Sequence, residues 1–382
     1  MKHRATARAI HHILAECATT HSACCLHRTI YLLSCFMFRN RIILLFATTI
    51  LLAVVNAHGA PWISPPPPGK LYQGLYFDEP APGRDPTEHD VTAADVARFE
   101  ETLGTKTVWI FFSNNWSESR KFPAAACDWI RGLGKVPYVR LMLRSDLEQN
   151  HAEKTFSLAN ILAGKFDDDV RAWAREAKAF GSPILIEWGT EPNGEWFSWN
   201  GKWNGGATEG PRRYIEAYRH IVDLMRGEGA ENLQWIWLVN WFDEPEAKWN
   251  RFENYYPGAD YCDWVALSAY GPLTPRATDG TESFRFKMRE AYPRLTKVAA
   301  GKPIVIAEFG CDIHHRKVNA SEWAKNALED VFSGRWPAVI GFLVSSFSHD
   351  SFHQQKPITA GQRPENKSSS ASFAHSLALT FR

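Results

Sequence analysis

Residues 184–199 read Ile-Leu-Ile-Glu-Trp-Gly-Thr-Glu-Pro-Asn-Gly-Glu-Trp-Phe-Ser-Trp. The apolar run Ile184 to Ile186 reads as a buried strand. It ends at Glu191, and a Pro-Asn-Gly turn leads into Trp196, Phe197 and Trp199. A carboxylic acid at a strand end beside flat aromatic side chains suits sugar chemistry. The acid can protonate a glycosidic oxygen, and aromatic faces stack on the apolar C–H faces of pyranose rings. The blander alternative is an exposed turn after a core strand, with aromatics that only pack.

A second stretch weighs against the bland alternative. Residues 301–312 read Gly-Lys-Pro-Ile-Val-Ile-Ala-Glu-Phe-Gly-Cys-Asp. Here too an apolar strand, Ile304 to Ala307, ends in a carboxylate, Glu308. Two strands that each finish in Glu are what a retaining glycosidase requires. One carboxylate attacks the anomeric carbon, the other serves as acid and then base, and their carboxyl groups stand roughly 5–5.5 Å apart. A barrel of parallel strands can supply that spacing, because all the strand C-termini point to one rim.

Working outward, strands and helices alternate along the chain. Strands are expected at Leu71–Phe77 (ending at Asp78), Thr107–Phe112, Val136–Leu143, the 184 stretch, Leu233–Val239, Trp264–Tyr270, the 304 stretch and Val339–Val344. Helices are expected at Thr92–Leu103, Phe122–Leu133, 165–180, Pro211–Arg226, 284–299 and Ala320–Phe332, and the first, third and fourth carry apolar residues spaced for one buried face. Polar and aromatic residues recur just after strands, at 78, 114–116, 191–199, 240–241, 270 and 308. This is the pattern of a (β/α)8 TIM barrel rim. The rival, a doubly wound open sheet, would normally carry a Gly-rich phosphate turn of the form Gly-x-Gly-x-x-Gly, and none appears.

The pair Gly-Thr-Glu-Pro-Asn-Gly-Glu-Trp-Phe-Ser-Trp-Asn-Gly and Pro-Ile-Val-Ile-Ala-Glu-Phe-Gly resembles glycoside hydrolase family 26, of clan A. The likeness covers roughly residues 70 to 345 by strand order and is specific at these motifs. It implies a (β/α)8 barrel, with Glu191 as acid/base after strand 4 and Glu308 as nucleophile after strand 7. It implies that Tyr270, in Ser-Ala-Tyr-Gly, hydrogen-bonds the nucleophile, and that Trp196 is the tryptophan near the cleavage site. Trp241, Trp199 and Asn193 join these as expected substrate contacts. The family contains β-mannanases, β-1,3-xylanases and mixed-linkage β-glucanases. This chain departs from the mannanase pattern in two places. Thr190 stands where His usually precedes the acid/base, and the stretch Gly341-Phe-Leu-Val-Ser-Ser-Phe-Ser-His lacks tryptophan.

The chain has 382 residues, 45% hydrophobic and 22% charged, with net charge +1. Such a balance offers no bulk field to draw in nucleic acid or an acidic polymer, and fits a neutral polysaccharide or oligosaccharide partner. All 16 Trp lie from Trp62 onward. Residues 1–60 read as an upstream extension plus a secretory signal segment. Met37 is a second candidate initiator, Arg39 and Arg41 form the basic start, Ile42 to Val55 the apolar stretch, and cleavage is expected near Ala57 or Ala60. A secreted or periplasmic protein follows from that reading, with no membrane contact after cleavage. The apolar run is short for a membrane span, which needs about 20 residues. Residues 61–69 form a proline-rich linker, 70–350 the barrel domain and 351–382 a polar tail. A monomer is expected.

Other residues carry blander readings. Glu187 shares strand parity with Glu191 and is expected in a buried ion pair with Arg140. Glu195 reads as a rim charge and Asp312 as structural. Trp203 and Trp249 are further candidate sugar platforms. Cys127, Cys262 and Cys311 remain after export, too few for a disulfide framework. No His-Glu-x-x-His or Cys-x-x-Cys spacing occurs, so catalysis is expected without metal or other cofactor. Against the hydrolase stands a reading of another class, a barrel that binds polysaccharide without cutting it.

Overall fold

The computed structural model describes residues 62–76 and 92–345. Asp78, the 1–60 segment read as an extension plus export signal, and the 351–382 tail lie outside those residues. Eight parallel strands close into a barrel in sequence order. They are β1 (Tyr72–Tyr76), β2 (Trp109–Asn115), β3 (Val136–Met142), β4 (Ile184–Trp188), β5 (Leu233–Asn240), β6 (Trp264–Ser268), β7 (Ile304–Glu308) and β8 (Val339–Ser345). Outside them lie α1 (Ala93–Leu103), α2 (Ala124–Gly132), α3 (Leu158–Leu162), α4 (Asp167–Phe180), α5 (Gly206–Gly227), α6 (Phe284–Val298) and α7 (Ala320–Phe332).

The expected (β/α)8 barrel is therefore what the chain forms, with three local differences. Glu191 lies three residues beyond the end of β4 rather than in its last position. Ser113, Asn114 and Asn115, read as a rim loop, continue β2 because they pair in register with Arg140, Leu141 and Met142 of β3. Between β5 and β6 the connection holds two 3₁₀ turns, Lys248–Asn250 and Phe252–Tyr255, and no α-helix. Pro245 and Pro257 flank these turns and cannot donate the backbone bonds a helix needs.

Two apolar layers hold the barrel. One lies between strands and helices, where Ile186, Trp188, Tyr214, Tyr218, Ile221 and Trp237 are buried. The other fills the barrel itself with Trp109, Phe111, Tyr138, Leu185, Ile236, Leu238, Trp264, Ala266, Val305 and Ala307. Trp109 fits at the lower end only because β1 offers Gly74 there. A Cβ on Gly74 would fall 1.8 Å from the indole nitrogen. The proline-rich lead-in is docked at its start. Trp62 Nε1 donates to the Glu231 carbonyl at 2.7 Å, and Ile63 exchanges two hydrogen bonds with the Gln234 side chain.

Candidate active site

The apolar interior ends at a polar layer, and strand parity says which residues make it. Tyr138 faces inward on β3, so Arg140 does too. By the same alternation Leu185 brings in Glu187, Leu238 brings in Asn240, and Ala266 brings in Ser268. Four polar side chains thus crown the core at the C-terminal rim, where barrel enzymes place their chemistry. Glu308 does not follow from alternation, because Ala307 already points inward. The pairing of β6 with β7 shifts there. Leu267 sits opposite Ile306 and Ser268 opposite Glu308, so β7 carries one extra residue. A bulge of this kind re-aims a side chain, and Glu308 turns into the barrel mouth.

Arg140 is the hub of that mouth. Its Nε bonds one oxygen of Glu187, opposite it on β4, and its Nη2 bonds Oε1 of Glu308 on β7. β3 and β7 lie on opposite walls of the barrel, so the guanidinium spans the mouth. Its underside rests on the Phe111 ring, 4.6 Å from the centroid. Tyr138 completes Glu187 by donating to Oε2 at 2.5 Å. Burial alone would weaken the proton's hold on Arg140; the charges of Glu187 and Glu308 more than reverse this, so the guanidinium stays cationic. Glu187 is fully buried, in the ion pair expected of it. The Tyr270 hydroxyl hydrogen-bonds Glu308, and burial followed by the charges of Glu308 and Glu191 keeps that phenol protonated.

Glu191 is held differently. Its φ is +46°, a left-handed conformation that costs a residue with a Cβ roughly 1–2 kcal/mol. The turn is set just upstream at Gly189, whose φ is +64° and whose carbonyl accepts from Tyr214 Oη at 2.7 Å. A side chain on Gly189 would collide with the Tyr214 ring at 2.6 Å. The Glu191 backbone nitrogen donates to the Leu238 carbonyl at 3.0 Å. Its carboxyl is fixed at both oxygens. Trp196 Nε1 donates to Oε2 at 2.7 Å, and Asn240 Nδ2 donates to Oε1 at 2.8 Å. Burial, then the negative charge of Glu308, raises this carboxyl to about 7. Asn240 pairs with Ser268, and Ser268 pairs with Glu308. Two strand steps, roughly 10 Å of backbone, therefore separate Glu308 from the residue that holds Glu191, and both side chains reach inward from there.

The expected site residues separate into two groups. Glu191, Glu308, Trp196 and Tyr270 meet at one rim, and Trp241 stands half-buried beside them. Trp199 and Asn193 do not line the mouth. Trp199 is buried, stacks on Phe197 at 4.7 Å and donates to the Thr190 carbonyl at 2.7 Å. Asn193 is fully buried as a brace between loops. Its Nδ2 reaches the carbonyls of Asn240 and Phe242 and the Asp243 carboxylate, while its Oδ1 accepts from Asn240 N, all within 3.0 Å. It supports Asn240 and touches no open space. Trp203 is occupied likewise, donating to the Glu195 carbonyl with Lys202 over its ring. Asp312 is buried and caps a turn through His314 N. Cys311 is no nucleophile, since burial and then Asp312 push its thiol up to about 12. Asn240, read in the sequence only as one of the rim positions, is a further side chain that holds Glu191.

The model of the Glycosyl hydrolase family 26 matches residues 147–331, a span that contains both carboxylates, Trp196, Asn240 and Tyr270. Over that span the chain is similar to glycosyl hydrolase family 26. Within that family's reach, Endoglucanase H of Acetivibrio thermocellus is 27% identical over 228 residues, which are 59% of this chain and 23% of that protein. A mannan endo-1,4-β-mannosidase of Bacillus subtilis is 25% identical over 207 residues, 52% of this chain and 51% of the relative. The chain thus spans under a quarter of the first and about half of the second. The solved structure of a Bacillus subtilis mannanase superposes with a TM-score of 0.51 at 16% identity, covering 82% of this chain and 85% of that one. At that identity the likeness is one of fold.

Proposed function

We propose that this chain is a family 26 hydrolase, a retaining endo-β-glycosidase acting on a neutral β-linked polysaccharide, a β-1,4-mannan, mixed-linkage β-glucan or β-1,3-xylan. One observation carries the reading. A buried carboxyl raised to about 7 shares a barrel mouth with a second carboxylate that is bound by an arginine. Two carboxyl groups with environments this different divide into acid and nucleophile. Glu308 attacks the anomeric carbon, oriented by Arg140 and Tyr270. Glu191 gives its proton to the departing glycosidic oxygen, with Trp196 and Asn240 holding its carboxylate once the proton has gone. A water then enters, Glu191 takes a proton from it, and the hydroxide displaces Glu308 from the sugar with net retention. Release of new reducing ends from a panel of mannan, mixed-linkage β-glucan, β-1,3-xylan and cellulose tests this. Cleavage of at least one supports it; binding to one with no new ends on any supports a non-catalytic barrel instead.

The raised Glu191 carboxyl has a pH signature. As general acid it must be protonated, so kcat/KM should fall as pH rises through about 7. On an aryl glycoside reactive enough for the variant to turn over yet still assisted by the acid in wild type, Glu191→Ala should lose that alkaline limb; a limb unmoved by the substitution would assign the titration elsewhere. The same group affects stability. The folded chain holds the proton up to about 7, whereas an ordinary glutamate releases it near 4.5. Its contribution to stability is therefore full below 4.5 and lost as pH rises through 7. Glu191→Gln should melt a few degrees above wild type at pH 8 and show a smaller gain at pH 5.

A further inference from the structure

Beyond Trp196 the rings do not stop. Trp196 meets Phe242 with centroids 5.8 Å apart, Phe242 meets Trp241 at 5.2 Å, and Trp241 meets Phe286 at 6.3 Å. The strip starts at the hydrogen bond to Glu191 and ends on the first turn of α6. Large apolar side chains on a water-soluble surface are normally scattered. Here Phe242 is 37% and Phe286 46% exposed, and they flank a half-buried tryptophan. Trp241 is also set in place from behind. Lys287, fully buried, brings Nζ to 4.1 Å from the ring centroid, and Nζ is itself held by the Gly280 carbonyl and Glu282. Burying an ammonium ion is costly, and neither carboxylate's chemistry uses this one. Its place under the indole fixes one face and leaves the ring rigid. The Trp241 backbone nitrogen adds a bond to the Ser268 carbonyl at 3.0 Å.

We propose that Trp196, Phe242, Trp241 and Phe286 form an extended binding strip for the leaving-group side of the polysaccharide, with Lys287 as the positioning residue for Trp241. This rests on the hydrolase reading for its polarity. The acid protonates the oxygen that departs with the leaving portion, so a strip that begins at the acid runs along that portion. The chemistry is that of flat, neutral sugar rings with apolar C–H faces. Aromatic rims over one fixed tryptophan supply this contact without any charge, which matches a neutral polymer.

The test uses the full chain carrying Glu308→Ala, so that ligands stay intact, titrated with β-1,4-linked manno-oligosaccharides and mixed-linkage β-gluco-oligosaccharides of two to six units and followed by tryptophan fluorescence and calorimetry. Affinity should rise with length. Adding Phe242→Ala with Phe286→Ala should weaken the longest ligand that binds by about tenfold or more, and the loss should grow with chain length. Lys287→Met, a buried change checked by circular dichroism, should weaken the same long ligand, and Lys287→Arg should restore part of it. Equal affinity at every length with and without the two phenylalanines overturns the strip. Failure of wild type to cut any polysaccharide would instead overturn the hydrolase reading, since these binding titrations need no turnover.

Discussion

Replacing Glu308 by alanine should lower kcat/KM on the best polysaccharide by on the order of 10⁴-fold, more than 5 kcal/mol of transition-state stabilisation, while the barrel stays folded. Glu308 ends β7 at the rim and is partly open to solvent, so truncation leaves little cavity. Glu191→Ala should cost a comparable factor on a poor leaving group and far less on an activated one, because only the former needs its proton. Small anions separate the two roles. Azide should rescue Glu308→Ala by attacking the anomeric carbon directly, giving a product of inverted configuration. With Glu191→Ala, azide should attack the glycosyl-enzyme and give retained configuration. If either variant cleaves polysaccharide like wild type, the assignment of the pair fails.

The second large effect belongs to Arg140. Arg140→Met should destabilise the fold by about 3–5 kcal/mol, because Glu187 is left as a buried carboxylate with only Tyr138. It should also cut kcat by several orders of magnitude, since Glu308 loses the cation that orients it. Stability and catalysis can be separated. The double variant Arg140→Met with Glu187→Met removes both buried charges and should recover most of the stability, yet remain inactive. Chemical denaturation and kinetics on the same samples check this. A double variant that regained activity would reduce Arg140 to a structural ion pair.

Much of this was legible in the sequence because strands announce both their burial and their ends. Glu191 and Glu308 stood out as carboxylates closing apolar runs, and period two was enough to pair Glu187 with Arg140. Irregular backbone gave less. In the 189–205 loop no period tells an inward ring from an outward one. Trp199 therefore looked like Trp196, although its indole is spent on the Thr190 carbonyl. Asn193, in the Pro-Asn-Gly turn, was expected to contact substrate and is instead a fully buried brace. Asn240 was legible only as a rim position, because one polar residue at a strand end reads as the start of a loop. Its inward parity with Ile236 and Leu238 was the available signal. The re-aiming of Glu308 depends on a register shift between neighbouring strands, a tertiary property that no local pattern encodes.

The geometry also shows where stability was given up. Glu191 combines a left-handed backbone, a buried carboxyl and a neighbouring negative charge, three unfavourable features at one position. The surroundings hold it there through Gly189, Tyr214, Asn240, Trp196 and the Asn193 brace. Such strain at a site over-determined by its neighbours is expected where a proton must be kept ready for transfer.

In the proposed mechanism Glu308 forms the covalent bond to the sugar while Glu191 serves it with protons. The most direct measurement is trapping with 2-deoxy-2-fluoro-β-mannosyl and β-glucosyl fluorides, in which the fluorine slows breakdown of the intermediate, followed by peptide mass spectrometry. One sugar per chain is expected, attached within 303–310 at Glu308. Attachment to Glu191, or turnover with inverted product and no adduct, would contradict that mechanism.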